Sequence, residues 1–505
     1  MLATIGSATV LGAEGQPVTV EVHVSAGLPG FTIVGLPDTA CREARDRVRA
    51  ALLSSGCGWP TKRVTVNLAP SNVRKVGGGL DLAIALALLA ADDQLPSGCV
   101  EGWAAVGELG LDGSVRPVPG MVPAIDAIAA GPVVVPRRSV ADAQLIGGHQ
   151  VRGVATLVEA VLALRGDEPW PPDPSPPDPV PDVPGPDLAD VRGQRIAREA
   201  LEVAAAGGHH LLMVGPPGAG KTMLARRLPG LLPDLPAHEA LEVTKVQSAA
   251  GVELPPGSRV VRPPFRTPHH SATLVSLIGG GAPNLRPGEI SCASRGVLFL
   301  DELGEFPPHV LDSLRQPLEE GCIRLSRAAA SVVLPSHVLL VAAMNPCPCG
   351  EANRPGACRC SDRERARYRR RLSGPLLDRF DLRLEVDRPA VDELLDCEPG
   401  EPSVVVRARV GQARERAAAR GVALNARIPA HRLDELAPLA PAARAVLRRE
   451  LEAGRLTGRG LHRVRRVART LADLDGKHDL VDEASVVMAL SLRIDPTELG
   501  RAAVA

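Results

Sequence analysis

Gly215, Pro216, Pro217, Gly218, Ala219, Gly220, Lys221 and Thr222 match the pattern G-x-x-x-x-G-K-[ST]. In such a loop the glycines let successive backbone N–H groups turn inward around phosphate oxygens. The lysine sets a cation on the β and γ oxygens, and the threonine hydroxyl reaches Mg²⁺. The apolar run His210–Val214 precedes the loop and a helix is expected from Lys221, so the anion also meets a helix N-terminus. ATP with Mg²⁺ is the ligand chemistry implied. A second run, Gly296–Glu302 (GVLFLDE), reads as a buried strand ending in two carboxylates. Asp301 is expected in the Mg²⁺ shell, and Glu302 is expected to orient and polarise an attacking water. A third strand, Val338–Asn345 (VLLVAAMN), ends in Asn345. The carboxyl end of an open α/β sheet faces the ligand, so Asn345 reads either as reaching the γ-phosphate or the water or as an unrelated turn asparagine.

Arg379 lies between Asp378 and Asp381 in Leu376–Leu382. It reads either as part of a local ion pair or as an arginine finger presented to a neighbouring subunit's γ-phosphate, a role that requires a ring. Arg459, in Thr457–Gly460, is a candidate second phosphate sensor, with Arg463 as a competitor and a plain surface arginine as the alternative. Cys347, Cys349, Cys358 and Cys360 form C-x-C-x8-C-x-C. Four thiolates so close suit tetrahedral Zn²⁺, although C-x2-C is the commoner spacing; a reduced, metal-free set is the other reading. A closed four-cysteine site leaves no position for substrate, so its role would be structural, shaping the loop that leads to Arg379.

Charge adds little direction. The 58 basic and 58 acidic residues cancel; only local density speaks. Arg363–Arg371 (RERARYRRR) holds six arginines in nine residues, and Arg455, Arg459, Arg463, Arg465, Arg466 and Arg469 form another dense set. Arginines at this density neutralise phosphates without reading bases, but solvated helix faces or interface ion pairs explain them about as well. The one tyrosine, Tyr368, offers little base stacking. No stretch approaches the ~18 apolar residues of a membrane span, and Met1–Val10 lacks the pattern of a signal peptide. A cytoplasmic protein with no membrane partner is expected.

The elements that must position these residues divide the chain. In Pro169–Pro186 ten of eighteen residues are proline, which reads as a semi-rigid extended spacer. Before it, Pro17–Val24 and Arg63–Asn67 alternate like strands, Leu80–Ala91 reads as an Ala/Leu helix after Gly77-Gly78-Gly79, and Val106–Leu111 and Pro132–Pro136 read as further strands. Strand–loop–helix units follow the spacer, and from about Pro389 leucine, valine and alanine recur at helical spacing. The expected fold class is α/β, divided into an α+β region (1–168), a linker (169–187), a P-loop core with the cysteine cluster (188–388) and a helical lid (389–505).

In this order the pieces resemble the AAA+ class. Pro264–Gly281 (PFRTPHHSATLVSLIGGG), Pro287–Ser291 (PGEIS), Leu314–Glu319 (LRQPLE) and Asn345–Gly350 (NPCPCG) look like the Mg-chelatase-like ATPases of the ComM/YifB type. The resemblance runs from Ala3 to Arg493 apart from the spacer. It implies a homo-hexameric ring and, for transformation-linked members, a DNA helicase that drives branch migration on single-stranded or branched DNA. It also implies an insertion before the second core strand, here within Arg266–Ser291, that carries His269 and His270; these are read as substrate-facing or as a loop-packing pair. The N-terminal region is similar to the proteolytic domain of Lon (a ribosomal S5 domain 2-like fold), which uses a serine nucleophile and a lysine base. Gly79 and Val122 stand at those positions, so acyl transfer is absent. Ser71 and Lys75, nearby, are read as surface residues, and the domain as a scaffold or binding module. Four functions compete: an ATP-driven DNA motor leads, then a chelatase-type ATPase that remodels a protein partner, an ATP-dependent protease, and a non-enzymatic ATP-binding scaffold.

Overall fold

The computed structural model describes residues 1–175, 185–281, 285–327, 330–352, 356–395, 398–477 and 479–494. Residues 176–184 of the proline spacer and 495–505 of the expected lid lie outside the described residues. The spacer's first turn is tied down, since Trp170 stacks on Trp103 with ring centroids 5.0 Å apart.

The N-terminal region is α+β. Its alternating runs lie within the strands Glu14–Ser25 and Arg63–Ala69, where Val18, Val20, Val22, Val24, Val64, Val66 and Leu68 are buried while Thr19 and His23 face solvent. The seven-stranded sheet runs Gly30–Val34, Arg63–Ala69, Glu14–Ser25, Leu2–Leu11, Ala104–Ala105, Pro132–Pro136, Gln150–Val154. Helix Asp81–Ala91 packs on its central strands and is apolar all round because it is buried all round. Burying each of its leucines contributes about 1.5–3 kcal/mol. Asp81 begins it, buried and held by Arg47 at 2.6 and 3.0 Å. The strand expected over Val106–Leu111 is shorter: only Glu108–Leu109 pairs, with Val115–Arg116. Gly107 instead bonds back to the Gly79 carbonyl, which ends the ladder.

The next unit is a five-stranded parallel sheet of β1 (Leu211–Val214), β2 (Phe265–Arg266), β3 (Val297–Leu300), β4 (Leu339–Met344) and β5 (Leu382–Glu385). Their spatial order is β2-β3-β4-β1-β5. Every residue of β1, β3 and β4 is buried, the pattern of strands covered on both faces. Parallel pairing sends the carboxyl ends of β1, β3 and β4 to one edge, next to the crossover where the strand order reverses.

The insertion lies where expected, ahead of the run Val297–Leu300: helix Leu274–Ile278, the paired segments Gly279–Gly280 and Arg286–Pro287, and helix Glu289–Cys292 all lie between β2 and β3, and the strand β2 in front of them is the addition. A two-residue edge strand behind Pro263 and Pro264 has no periodicity to read. Arg266 clamps the insertion's return through Glu289 at 2.7 and 2.8 Å.

A hairpin between β3 and β4, Cys322–Arg327 with Ala330–Pro335, was not anticipated. Buried Val332 and Leu334 share an apolar cluster with Ala13 of the N-terminal region. Nearby, Gly12 donates its N–H to Leu285 O at 3.0 Å. The N-terminal unit also docks through Met121–Asp126 on helix Ala237–Ala250, where Lys245 meets Asp126 at 2.5 Å. Beyond β5 the described chain is helical. Ser403–Ala419 and Gly458–Leu474 pack on Arg195–Gly207, the helix that precedes β1.

Candidate functional site

The phosphate loop leaves β1 with left-handed backbone at Gly218 (φ 79°) and Gly220 (φ 89°), which suits glycine. At Gly215 a Cβ would lie 2.0 Å from the Val386 carbonyl oxygen, so nothing larger fits. Helix Lys221–Leu231 starts directly after. Lys221 is nearly buried and donates Nζ to the carbonyls of Gly215 (2.5 Å) and Pro216 (2.9 Å) and to Asn345 Oδ1 (3.2 Å). Burial pulls its pKa below the ordinary lysine value, with Asp301 opposing. Thr222 Oγ1 donates to Asp301 Oδ2 at 2.7 Å. Two hard oxygens so placed suit a Mg²⁺ shell completed by phosphate and water.

Glu302 adopts φ 51°, uncommon for a residue with a side chain. Its N–H rests on Asp301 Oδ1 at 2.9 Å. Its half-exposed carboxylate meets His270 Nδ1 at 3.1 Å. The His270 ring lies 4.1 Å from that of His269 and edge-on to Phe306. Gly215–Thr222, Asp301, Glu302 and Asn345 thus converge on one edge of the sheet, joined by a histidine from the insertion. The sequence leaves His270 open between two roles, because its partner lies 32 residues away.

Arg379 lies at the opposite edge. It precedes β5, whose first residue Leu382 pairs with Leu211, the first of β1, whereas the phosphate loop follows the last residue of β1. Its Nη2 meets Glu319 at 2.5 Å and its Nε has no hydrogen-bond partner. The local pair with a flanking aspartate does not form. Asp378 lies 3.8 Å from Arg383 and 3.9 Å from Arg459, while Asp381 is held by His209 (3.0 Å) and Arg463 (2.6 Å). Burial opposes ionisation of Asp381, but the His209 hydrogen bond and the charges of His209 and Arg463 hold it well below the usual carboxylate range. Arg463 is therefore committed within the fold, whereas Arg459 is 84% exposed beside Arg379's neighbour Asp378. A cavity of about 660 Å³ opens here, bordered by Arg379, Arg463, Arg414, Arg427 and Arg466.

The other arginine clusters divide. Arg465 binds the carbonyls of Leu433 and Ala437, and fully buried Arg469 binds Asp473, so these two hold the helical unit together. On helix Asp362–Arg370, Tyr368 is buried while Arg363, Arg367 and Arg370 are exposed. Cys347, Cys349, Cys358 and Cys360 bring their Sγ atoms within 4.8 Å of one another.

In the N-terminal region neither position of the expected dyad carries chemistry. A Cβ on Gly79 would meet only the Val118 side chain, and Val122 is buried in helix Met121–Asp126. Ser71 is exposed as expected, but Lys75 is not a surface residue: it is fully buried, its ammonium on the Pro70 carbonyl. Among the described residues no helix is long and apolar enough to cross a membrane.

Residues 187–394 match the family described as magnesium chelatase, subunit ChlI; residues 20–139 match the subunit ChlI of Mg-chelatase, and 400–493 its C-terminal family. The chain is 45% identical over 495 residues to an uncharacterized protein of Mycobacterium tuberculosis, covering 96% of this chain and 97% of that one. It is 44% identical over 502 residues to the uncharacterized protein YifB of Escherichia coli, covering 97% of each. It is 42% identical over 486 residues to the competence protein ComM of Haemophilus influenzae, covering 95% of each.

Proposed function

The chain belongs to the magnesium-chelatase-like AAA+ ATPase family of YifB and ComM, and from that premise we propose that it is an ATP-driven DNA motor. In this reading it hydrolyses ATP·Mg²⁺ in a cytoplasmic homo-hexameric ring and works as a helicase of the branch-migrating kind. The observation that carries the reading is the split site. Lys221, Thr222, Asp301, Glu302 and Asn345 stand at one edge of the sheet, and Arg379 with Arg459 at the other. Arginines placed there reach the γ-phosphate of a neighbour, not their own, and a head-to-tail contact that closes makes a ring.

Lys221 and the loop amides hold the phosphates, Thr222 and Asp301 hold Mg²⁺, and Glu302 orients the water. Asn345 acts as sensor, Arg379 as finger and Arg459 as a second sensor. DNA as the track is supported by the exposed Arg363, Arg367 and Arg370 on one helix and by a relative named a competence protein. The reading includes a structural Zn²⁺ at the four cysteines.

The test is the ATPase rate with no DNA, with single-stranded DNA, with a four-way junction and with a protein substrate. Stimulation by DNA, strongest with the junction, is expected. Stimulation by protein alone would replace the motor with a chelatase-type remodeller.

A further inference from the structure

The cysteine cluster lies beside the nucleotide site and has the geometry of a metal centre. A tetrahedral ion with Zn–S bonds of about 2.3 Å sets its sulfurs about 3.8 Å apart. Cys347 and Cys349 lie 3.3 Å apart, Cys347 and Cys358 3.8 Å, Cys349 and Cys358 3.7 Å, and Cys360 falls within the same 4.8 Å. Four sulfur donors select a borderline-soft ion over Mg²⁺.

The neighbours of the loop show what such an ion would do. Gly350, between the ligands, has φ 79°, and a Cβ there would lie 2.4 Å from Pro217 Cδ, so this loop rests on the phosphate loop. Arg388 bridges the same two loops, donating to Pro217 O at 3.1 Å and to Glu351 at 3.0 Å. On the far side, Ser361 follows Cys360 and caps helix Asp362–Arg370 with a complete capping box. That helix packs Tyr368 so tightly on Gly304 that a Cβ there would lie 2.4 Å from the ring. Arg371, just past it, donates to Gly304 O at 2.7 Å and to Glu305 at 2.9 Å. Gly304 and Glu305 belong to the turn directly after Glu302.

We infer that Cys347, Cys349, Cys358 and Cys360 hold one Zn²⁺ as a clip that braces Pro217 of the phosphate loop and the turn behind Glu302. This deepens the zinc reading of the same cluster and moves its effect from the Arg379 loop, where the sequence had put it, to the nucleotide pocket. Zn²⁺ displaces the thiol protons to solvent on binding, and the closed sulfur set leaves it no substrate position.

Elemental analysis of the full chain, purified without chelator, is expected to find about one zinc per chain, and Co²⁺ loading to give thiolate-to-cobalt charge-transfer bands. Cys349→Ser, at the exposed ligand, should lose the metal and weaken binding of a fluorescent ATP analogue several-fold. Arg388→Ala should keep the zinc yet weaken nucleotide binding in the same direction, which tests the coupling even where the cysteine variant fails to fold. Wild-type protein that carries no zinc overturns the site; metal-free, folded Cys349→Ser or zinc-loaded Arg388→Ala with unchanged affinity overturns the clip. A chain that carries zinc but ignores DNA would refute the motor and leave the clip standing.

Discussion

At Glu302 two demands meet. In its proposed role the carboxylate faces an attacking water, yet its backbone is held left-handed and its oxygen is paired with His270. In the proposed mechanism the charge on that side chain serves turnover, whereas Lys221 keeps the phosphates in place. Lys221→Ala is therefore expected to abolish nucleotide binding. Glu302→Gln should bind ATP normally while hydrolysis falls about 10²–10⁴-fold, the range for a group that handles a proton or orients a nucleophile. Nucleotide titration and phosphate release separate the two; normal turnover in Glu302→Gln would remove it from the reaction. The residues of the phosphate loop were legible because their chemistry is contiguous. The His270 pair was not, since a contact across an inserted loop leaves no spacing in the sequence. Buried Lys75 was misread for the same reason: a lysine's burial is decided by what packs over it.

The elements that carry the site depend on a neutral histidine at the start of β1. His210 Nδ1 accepts the Leu340 N–H from β4 at 3.1 Å, which a protonated ring cannot do. Burial pulls its pKa down from 6.5 to about 4, with Asp381 opposing. Below pH 6.5 the unfolded chain takes a proton that the folded chain refuses, so stability falls as pH drops from 6.5 to about 4 and the loss levels off below that. A shift of that size corresponds to about 3 kcal/mol. Thermal melts of wild type against His210→Asn, whose amide oxygen can accept the same N–H, should show a flatter acid limb in the variant. Equal slopes would assign the acid sensitivity elsewhere. β1, β3 and β4 were readable as short apolar runs because strands covered on both faces must be apolar throughout. The two-residue β2 and the 322–335 hairpin were missed, because one is too short for a period and the other is half covered by the N-terminal region.

For the whole molecule, the proposed ring and the separation of Arg379 from its own phosphate loop together make hydrolysis a property of adjacent subunits. Arg379→Ala should retain ATP and lose about 10³-fold in turnover, the scale of an arginine finger. Mixed with Glu302→Gln subunits it should recover activity, because its intact pocket then receives a neighbour's arginine. No recovery on mixing would place Arg379 in its own subunit's chemistry. Whether this hydrolysis moves DNA is read from a labelled four-way junction incubated with the full chain and ATP. Wild type is expected to convert the junction to its separated duplexes only while ATP is hydrolysed, and Glu302→Gln to bind ATP and leave the junction intact. Sustained hydrolysis by wild type with every junction unmoved would contradict a DNA motor.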